Sequence, residues 1–203
     1  MRPSPVGRWV LIGAIGLATL LAGMLFDAWA DAFWRRAPAS GWLWWWGRAA
    51  YWAGLGWLQI GLCLALAGAG WLLKRRQWLA SALGGVWAVA VAGLGAQVLK
   101  HLVGRPRPHL NQDWWTITGP GWQSEMHSFP SGHAATSFAL AVVLAQRFPR
   151  AWLLWYGGAA FIALGRVVDR SHFPLDIMAG ALLGAGVGWL VAGRLRAKEK
   201  AAP

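Results

Sequence analysis

The sequence predicts an all-α integral membrane protein of six transmembrane helices, and three observations carry that prediction. Of its 203 residues, 57% are hydrophobic, 13% are charged and 18 are Trp, which is too apolar and too rich in Trp for an ordinary soluble domain. The charges fall in short clusters between apolar runs, so the net charge of +12 reflects membrane topology and no nucleic-acid partner is expected. The runs themselves are six, at residues 9–26, 49–73, 77–99, 134–146, 151–165 and 177–193. The single cysteine, Cys63, lies inside one of them, which leaves neither a disulfide framework nor a Cys-based metal site.

In chain order, residues 9–26 carry no charge and follow Arg2 and Arg8, as a first span should. A cleaved signal peptide is rejected, because the run is long for one and is followed by Asp27, Trp29 and Asp31 in place of a small-x-small cleavage pattern. An irregular stretch follows with Arg35, Arg36, Pro38 and Gly41. Its cluster of Trp42, Trp44, Trp45 and Trp46 suits either an interfacial belt or packing between helices. The second span, 49–73, closes at Lys74, Arg75 and Arg76, and the third, 77–99, stops at Lys100.

From Lys100 to Pro130 the chain is polar and broken by Pro106, Pro108, Gly119, Pro120 and Gly121. Ordered loops of that length usually carry function. The last three runs each fall short of the ~20 residues a helix needs to cross the hydrocarbon. They reach that length only if His133, Arg166 and Asp176 lie at membrane depth and face inward, and ionisable residues held there are functional candidates. The tail from Ala197 is expected to be unstructured. No internal repeat is evident, so residues 1–203 read as one membrane-embedded domain.

Lys and Arg set the orientation. With six spans, one side receives Arg2, Arg8, Lys74 to Arg76, Arg147, Arg150, Arg194, Arg196, Lys198 and Lys200 against one acid, Glu199. The other side receives all the remaining acids. Both termini are therefore expected in the cytoplasm, with the loops at 100–130 and 166–174 together on the outer face of a bacterial inner membrane.

Three polar clusters then meet on one face. In Pro130-Ser131-Gly132-His133, Ser131 is a good N-cap, Gly132 lets backbone approach a ligand, and the helix N-terminus offers free N–H groups to an anion. The same tetrapeptide is equally an ordinary turn. Lys100 with Arg107-Pro108 holds two cations near each other across a proline-stiffened turn. In the third cluster, Arg166 to Asp176, Phe173 precedes a proline and Pro174 suits the first helical position. His172 then stands just outside a helix whose first turn holds Asp176, and a carboxylate there can accept from one imidazole nitrogen and leave the other free as base or nucleophile.

Together these residues resemble the type 2 phosphatidic acid phosphatase superfamily, which also includes glucose-6-phosphatase and vanadium haloperoxidases. The resemblance covers residues 100–180 by motif and the whole chain by its six-helix layout. Its motifs are matched by Lys100 with Arg107-Pro108, by Pro130 to His133, and by Arg166, His172 and Asp176. One departure is Gly165, where the family usually has Ser. The resemblance implies that His172 attacks phosphorus to form a phosphohistidine, with Asp176 holding its tautomer, while His133 protonates the leaving oxygen and then activates water. It implies that Lys100, Arg107, Arg166, Ser131 and Gly132 bind the phosphate oxygens, and that no metal or other cofactor is needed.

The expected substrate is a lipid phosphate or pyrophosphate entering sideways from the bilayer: undecaprenyl pyrophosphate first, then phosphatidate or phosphatidylglycerophosphate, then lipid A. A lipid-to-lipid phosphotransferase would use the same residues, and an anion carrier without chemistry is the alternative of a different class. The loop from Asn111 to His127 is expected to select the head group or simply to be solvated, and Gln123, Glu125, His127, Asp169 and Arg170 receive no role.

Overall fold

Every apolar run is helical in the computed structural model, which describes residues 5–36 and 39–201. Arg2, Pro38 and the last two residues of the expected tail lie outside that description. The described residues form seven α-helices: α1 (Pro5–Arg36), α2 (Trp42–Ala53), α3 (Gly56–Leu72), α4 (Arg76–Val103), α5 (Gly132–Arg147), α6 (Trp152–Val168) and α7 (Pro174–Ala201). Among them α1, α4 and α7, and α6 together with the short helical turn before it (Pro149–Val168), are long and apolar enough to cross a membrane, and α2 with α3 forms a further candidate span bent by 60°. At 16 residues α5 is short for a span, yet its side chains are buried along most of its length.

The second apolar run therefore departs from the expected single helix. Gly54, a poor helix residue, ends α2, and Leu55 is extended (φ −65, ψ 121) before α3 begins. The break frees backbone carbonyls, and Gln59 of α3 reaches back to one of them, donating from Nε2 to the Ala53 oxygen at 3.3 Å. The Trp cluster opens α2 and divides between its two expected uses. Trp42, Trp44 and Trp45 are exposed, whereas Trp46 packs on Phe161 and donates from Nε1 to its carbonyl (3.0 Å).

At the chain's end the tail expected to be unstructured from Ala197 continues α7 to Ala201. Ala, Lys and Glu are good helix formers. Glu199 also takes a forked pair from Arg147 at the end of α5 (2.7 and 2.5 Å).

The core lies between α4, α5 and α7, and its buried side chains are small: Ala88, Ala92 and Ala96 face Ala135, Ala139, Val143 and Ala192. Between helices in lipid there is little hydrophobic drive to associate, so close backbone approach through small residues does the work. Gly180, Gly184 and Gly188 form that seam on α7. A Cβ on them would meet the carbonyl oxygens of Ser131, Ala135 and Ala139 at 2.4, 2.1 and 2.5 Å. The seam sets the two helices so closely that the Ser131 N–H donates to the Asp176 carbonyl (2.9 Å), which brings the starts of α5 and α7 side by side.

Candidate active site

Ser131 is the N-cap of α5, as its sequence context predicts, and its buried hydroxyl accepts from the Ala134 N–H at 3.4 Å. Gly132 follows, and the Lys100 ammonium lies 3.6 Å from where a Cβ on Gly132 would stand. Lys100 thus leaves the last turn of α4 and turns inward over the start of α5. It does not snorkel to the surface.

His133 sits one residue into α5 with Nε2 3.1 Å from the Tyr51 carbonyl oxygen. A carbonyl only accepts, so Nε2 carries the proton of this bond and Nδ1 is left as the nitrogen able to exchange one. Tyr51 also spreads its ring beneath Arg166, whose guanidinium carbon is 5.2 Å from the ring centroid. The end of α2 therefore holds two of the expected site residues.

His172 is buried between α6 and α7, with Nδ1 turned to Asp176 and 3.6 Å from Oδ2. That separation is longer than a hydrogen bond and differs from the bond expected from sequence. The reason is competition: Oδ2 already accepts from the Ser128 hydroxyl (2.5 Å) and the Phe173 N–H (2.8 Å), while Oδ1 accepts from Arg105 Nη1 (2.5 Å). The other nitrogen, Nε2, remains on the opposite side of the ring. Burial draws the His172 imidazole down to a pKa of about 4, against the raising effect of Asp176, so the ring is neutral at pH 7.

The cations converge on these rings. Lys100 and Arg107 are near enough to act electrostatically on His172, and Arg166 and Lys100 on His133. Arg107 is held only by long bonds, from Nε to the Ser124 oxygen (3.3 Å) and from Nη1 to the Ser171 oxygen (3.4 Å). Arg166 is buried, paired with Asp169, and donates to the Ser171 hydroxyl at 2.7 Å. Its neighbour Gly165 has a physical reason to replace Ser. A Cβ there would lie 2.3 Å from the Ala50 Cβ, where α2 crosses α6.

All eight residues expected from sequence thus gather around the starts of α5 and α7. Three others in the cluster escaped the sequence reading: Arg105, Ser128 and Asp27. Arg105 joins Asp176 to Asp27 of α1 (Nη2 to Oδ2, 2.6 Å), and all three are buried. The sequence signal was a carboxylate directly after an apolar run, since a charge at membrane depth demands a partner. Asp169 and Arg170, which received no role, brace the loops: Asp169 accepts from the Ser171 N–H (3.1 Å), and Arg170 donates to the Pro108 carbonyl and to Asn111 Oδ1 (2.7 and 2.6 Å). Likewise Glu125 pairs with His109 (2.7 Å), and His127 approaches the Gly121 carbonyl (3.0 Å). Among the described residues no group of three or more His, Cys, Asp or Glu side chains is placed to hold a metal ion.

A family model described as PAP2 superfamily matches residues 81–199, which contain every expected site residue. The chain is 33% identical over 130 residues to a lipid A 1-phosphatase of Rhizobium johnstonii, covering 60% of this chain and 53% of that protein. It therefore spans about half the length of that relative. It is 35% identical over 152 residues to a decaprenylphosphoryl-5-phosphoribose phosphatase of Mycobacterium tuberculosis, covering 72% and 77% of the two chains. Its fold is similar to a transmembrane PAP2-type phosphatidylglycerolphosphate phosphatase from Bacillus subtilis, with a TM-score of 0.59 at 22% identity over 88% of this chain and 94% of that one. At that identity the likeness is one of fold, and it joins a chain whose own helices are long and apolar enough to cross a membrane.

Proposed function

The chain belongs to the PAP2 superfamily, and on that premise we propose that it hydrolyses a phosphate or pyrophosphate group of a membrane lipid through a phosphohistidine intermediate. The observation that carries this reading is the pairing of a buried, neutral His172 with Asp176 on one nitrogen only, beside Lys100, Arg107 and Arg166. His172 Nε2 attacks phosphorus, the bond from phosphorus to the lipid oxygen breaks, and protonated His133 gives its Nδ1 proton to that oxygen. Water then loses a proton to His133 Nδ1 and attacks phosphorus, which breaks the phosphorus–nitrogen bond and releases inorganic phosphate.

Charge gathers on the equatorial oxygens as each step passes its transition state. There Lys100, Arg107 and Arg166, with the Ser131 hydroxyl and the Gly132 N–H, stabilise it without reorganising. Three fixed cations take the electrostatic part that a metal would play, so the reaction is metal-independent. Both termini lie in the cytoplasm and the site opens on the outer face of a bacterial inner membrane, the sense given by the basic clusters.

The substrate is a phosphate on a long-chain lipid. Undecaprenyl pyrophosphate, phosphatidate or phosphatidylglycerophosphate, and lipid A are the candidates, and the relatives named for lipid A and for a polyprenyl phosphoribose bring lipid A and polyprenyl substrates forward. The test is release of inorganic phosphate by purified protein across a panel of these lipids, with EDTA present and with vanadate as a mimic of five-coordinate phosphorus. Turnover that persists in EDTA and is blocked by vanadate is expected. Loss in EDTA with recovery in magnesium would overturn metal independence, and transfer of the phosphoryl group to a second lipid would identify a phosphotransferase.

A further inference from the structure

Behind His172 lies a second tier of charge that begins on α1. Asp27 is fully buried. Its Oδ1 accepts from the Leu175 N–H at 2.7 Å, the first free N–H of α7 after Pro174, and its Oδ2 accepts from Arg105 Nη2 at 2.6 Å. Arg105 spends its other terminal nitrogen on Asp176 Oδ1 (2.5 Å), donates also to the Trp114 carbonyl (2.5 Å), and lies against the Phe173 ring at 4.3 Å.

Capping of α7 does not by itself require a carboxylate at position 27, since it uses only one oxygen. The oxygen of an Asn would accept from Leu175 as well and would avoid burying a charge, though its NH2 could not accept from Arg105 as the second carboxylate oxygen does. What the carboxylate adds is balance. Arg105 and Asp176 alone form a neutral pair, which would offer little to the imidazole 3.6 Å away. With Asp27 the tier of two carboxylates and one guanidinium carries a net charge of minus one. The imidazole needs that charge, because it becomes cationic as Nε2 bonds to phosphorus.

We propose that Asp27 and Arg105 are positioning residues for the nucleophile: Arg105 fixes the Asp176 carboxylate, and Asp27 balances Arg105 so that Asp176 keeps its charge for His172. The inference rests on the phosphohistidine reading above. It assigns α1, which lies outside the residues matched by the family model, a part in the chemistry.

Charge compensation tests it in the purified full-length protein, using the lipid of the panel that is turned over fastest. Asp27→Asn removes the balancing charge and keeps one acceptor oxygen for the Leu175 N–H. Its kcat should fall at least about tenfold while KM stays within about twofold. Adding Arg105→Gln returns the tier to minus one and keeps an amide N–H to donate to Asp176 in place of the guanidinium, so kcat should recover to within about threefold of the unaltered protein. An unchanged kcat in the single variant, or a double variant no better than the single, overturns the proposal. If the single variant fails to accumulate in membranes, as the loss of one partner from a buried ion-pair network can cause, the double variant decides alone: near-normal kcat supports the proposal and an inactive protein overturns it. Failure of the underlying reading looks different, because the unaltered protein would then release no phosphate or His172→Ala would retain activity.

Discussion

A Cβ on Gly54 would stand 2.3 Å from Cδ2 of His133. The same atom would be 2.7 Å from Ile162 Cγ2 and 3.0 Å from the Ala50 carbonyl oxygen, so a methyl there is crowded on three sides. The break between α2 and α3 therefore lies directly against the expected acid and base. Gly54→Ala should leave the protein in the membrane but displace the imidazole, and kcat should fall about tenfold or more. Normal activity in that variant would show that the His133 ring need not stand where Tyr51 holds it.

The two histidines should differ in their dependence on the leaving group. Attack by His172 is required of every substrate, so His172→Ala should lose several orders of magnitude throughout. The proton from His133 matters most when a basic alkoxide departs. His133→Ala should therefore lose much more activity on phosphatidate than on a lipid pyrophosphate or nitrophenyl phosphate, and should accumulate phosphoenzyme with the latter. Equal losses on both classes, with no acid-labile phosphohistidine trapped, would remove His133 from its role.

The pH profile follows from the burial of His172. Its folded pKa, about 4, is below the ordinary imidazole value, so the ring loses its proton as pH rises through about 4 and is a free nucleophile above. After allowance for the ionisation of the substrate, the acid limb of kcat/KM, which reports the free enzyme, should lie near pH 4. Stability moves with the same sign. Between about pH 6.5 and 4 an unfolded histidine binds a proton that the folded one refuses, so this group's contribution is lost as pH falls through that window. An acid limb at the ordinary imidazole value would contradict the burial.

Topology can be read by thiol labelling, since Cys63 is buried and should give little background. A cysteine introduced at Asp113 should react with a membrane-impermeant reagent added outside intact cells, and one at Arg75 should not. The reverse pattern would put the site in the cytoplasm.

Much of this protein could be read from sequence, because two of its signals are local. Apolar runs located the helices except that α2 and α3 were read as one span and the start of α2 as irregular chain, and three short motifs pointed to Lys100, Arg107, Ser131, Gly132, His133, Arg166, His172 and Asp176. N-caps, proline positions and hydropathy act over a few residues, so they survive without knowledge of the fold. Only tertiary structure could decide the rest. At Gly54 the chain offers only a poor helix residue, and the fold adds what accommodates a break there: Gln59 on the Ala53 carbonyl and His133 standing against the gap. The glycine at position 165 follows from Ala50 on a helix more than a hundred residues away in sequence, and the Gly180, Gly184 and Gly188 seam from the carbonyls of α5. Above all, the Asp176 carboxylate is shared among Ser128, Phe173 and Arg105, and Arg105 is shared in turn with Asp27. Hydrogen-bond competition of that kind depends on which donors the fold brings within reach, and the Ser128 and Arg105 donors come from segments 48 and 71 residues away.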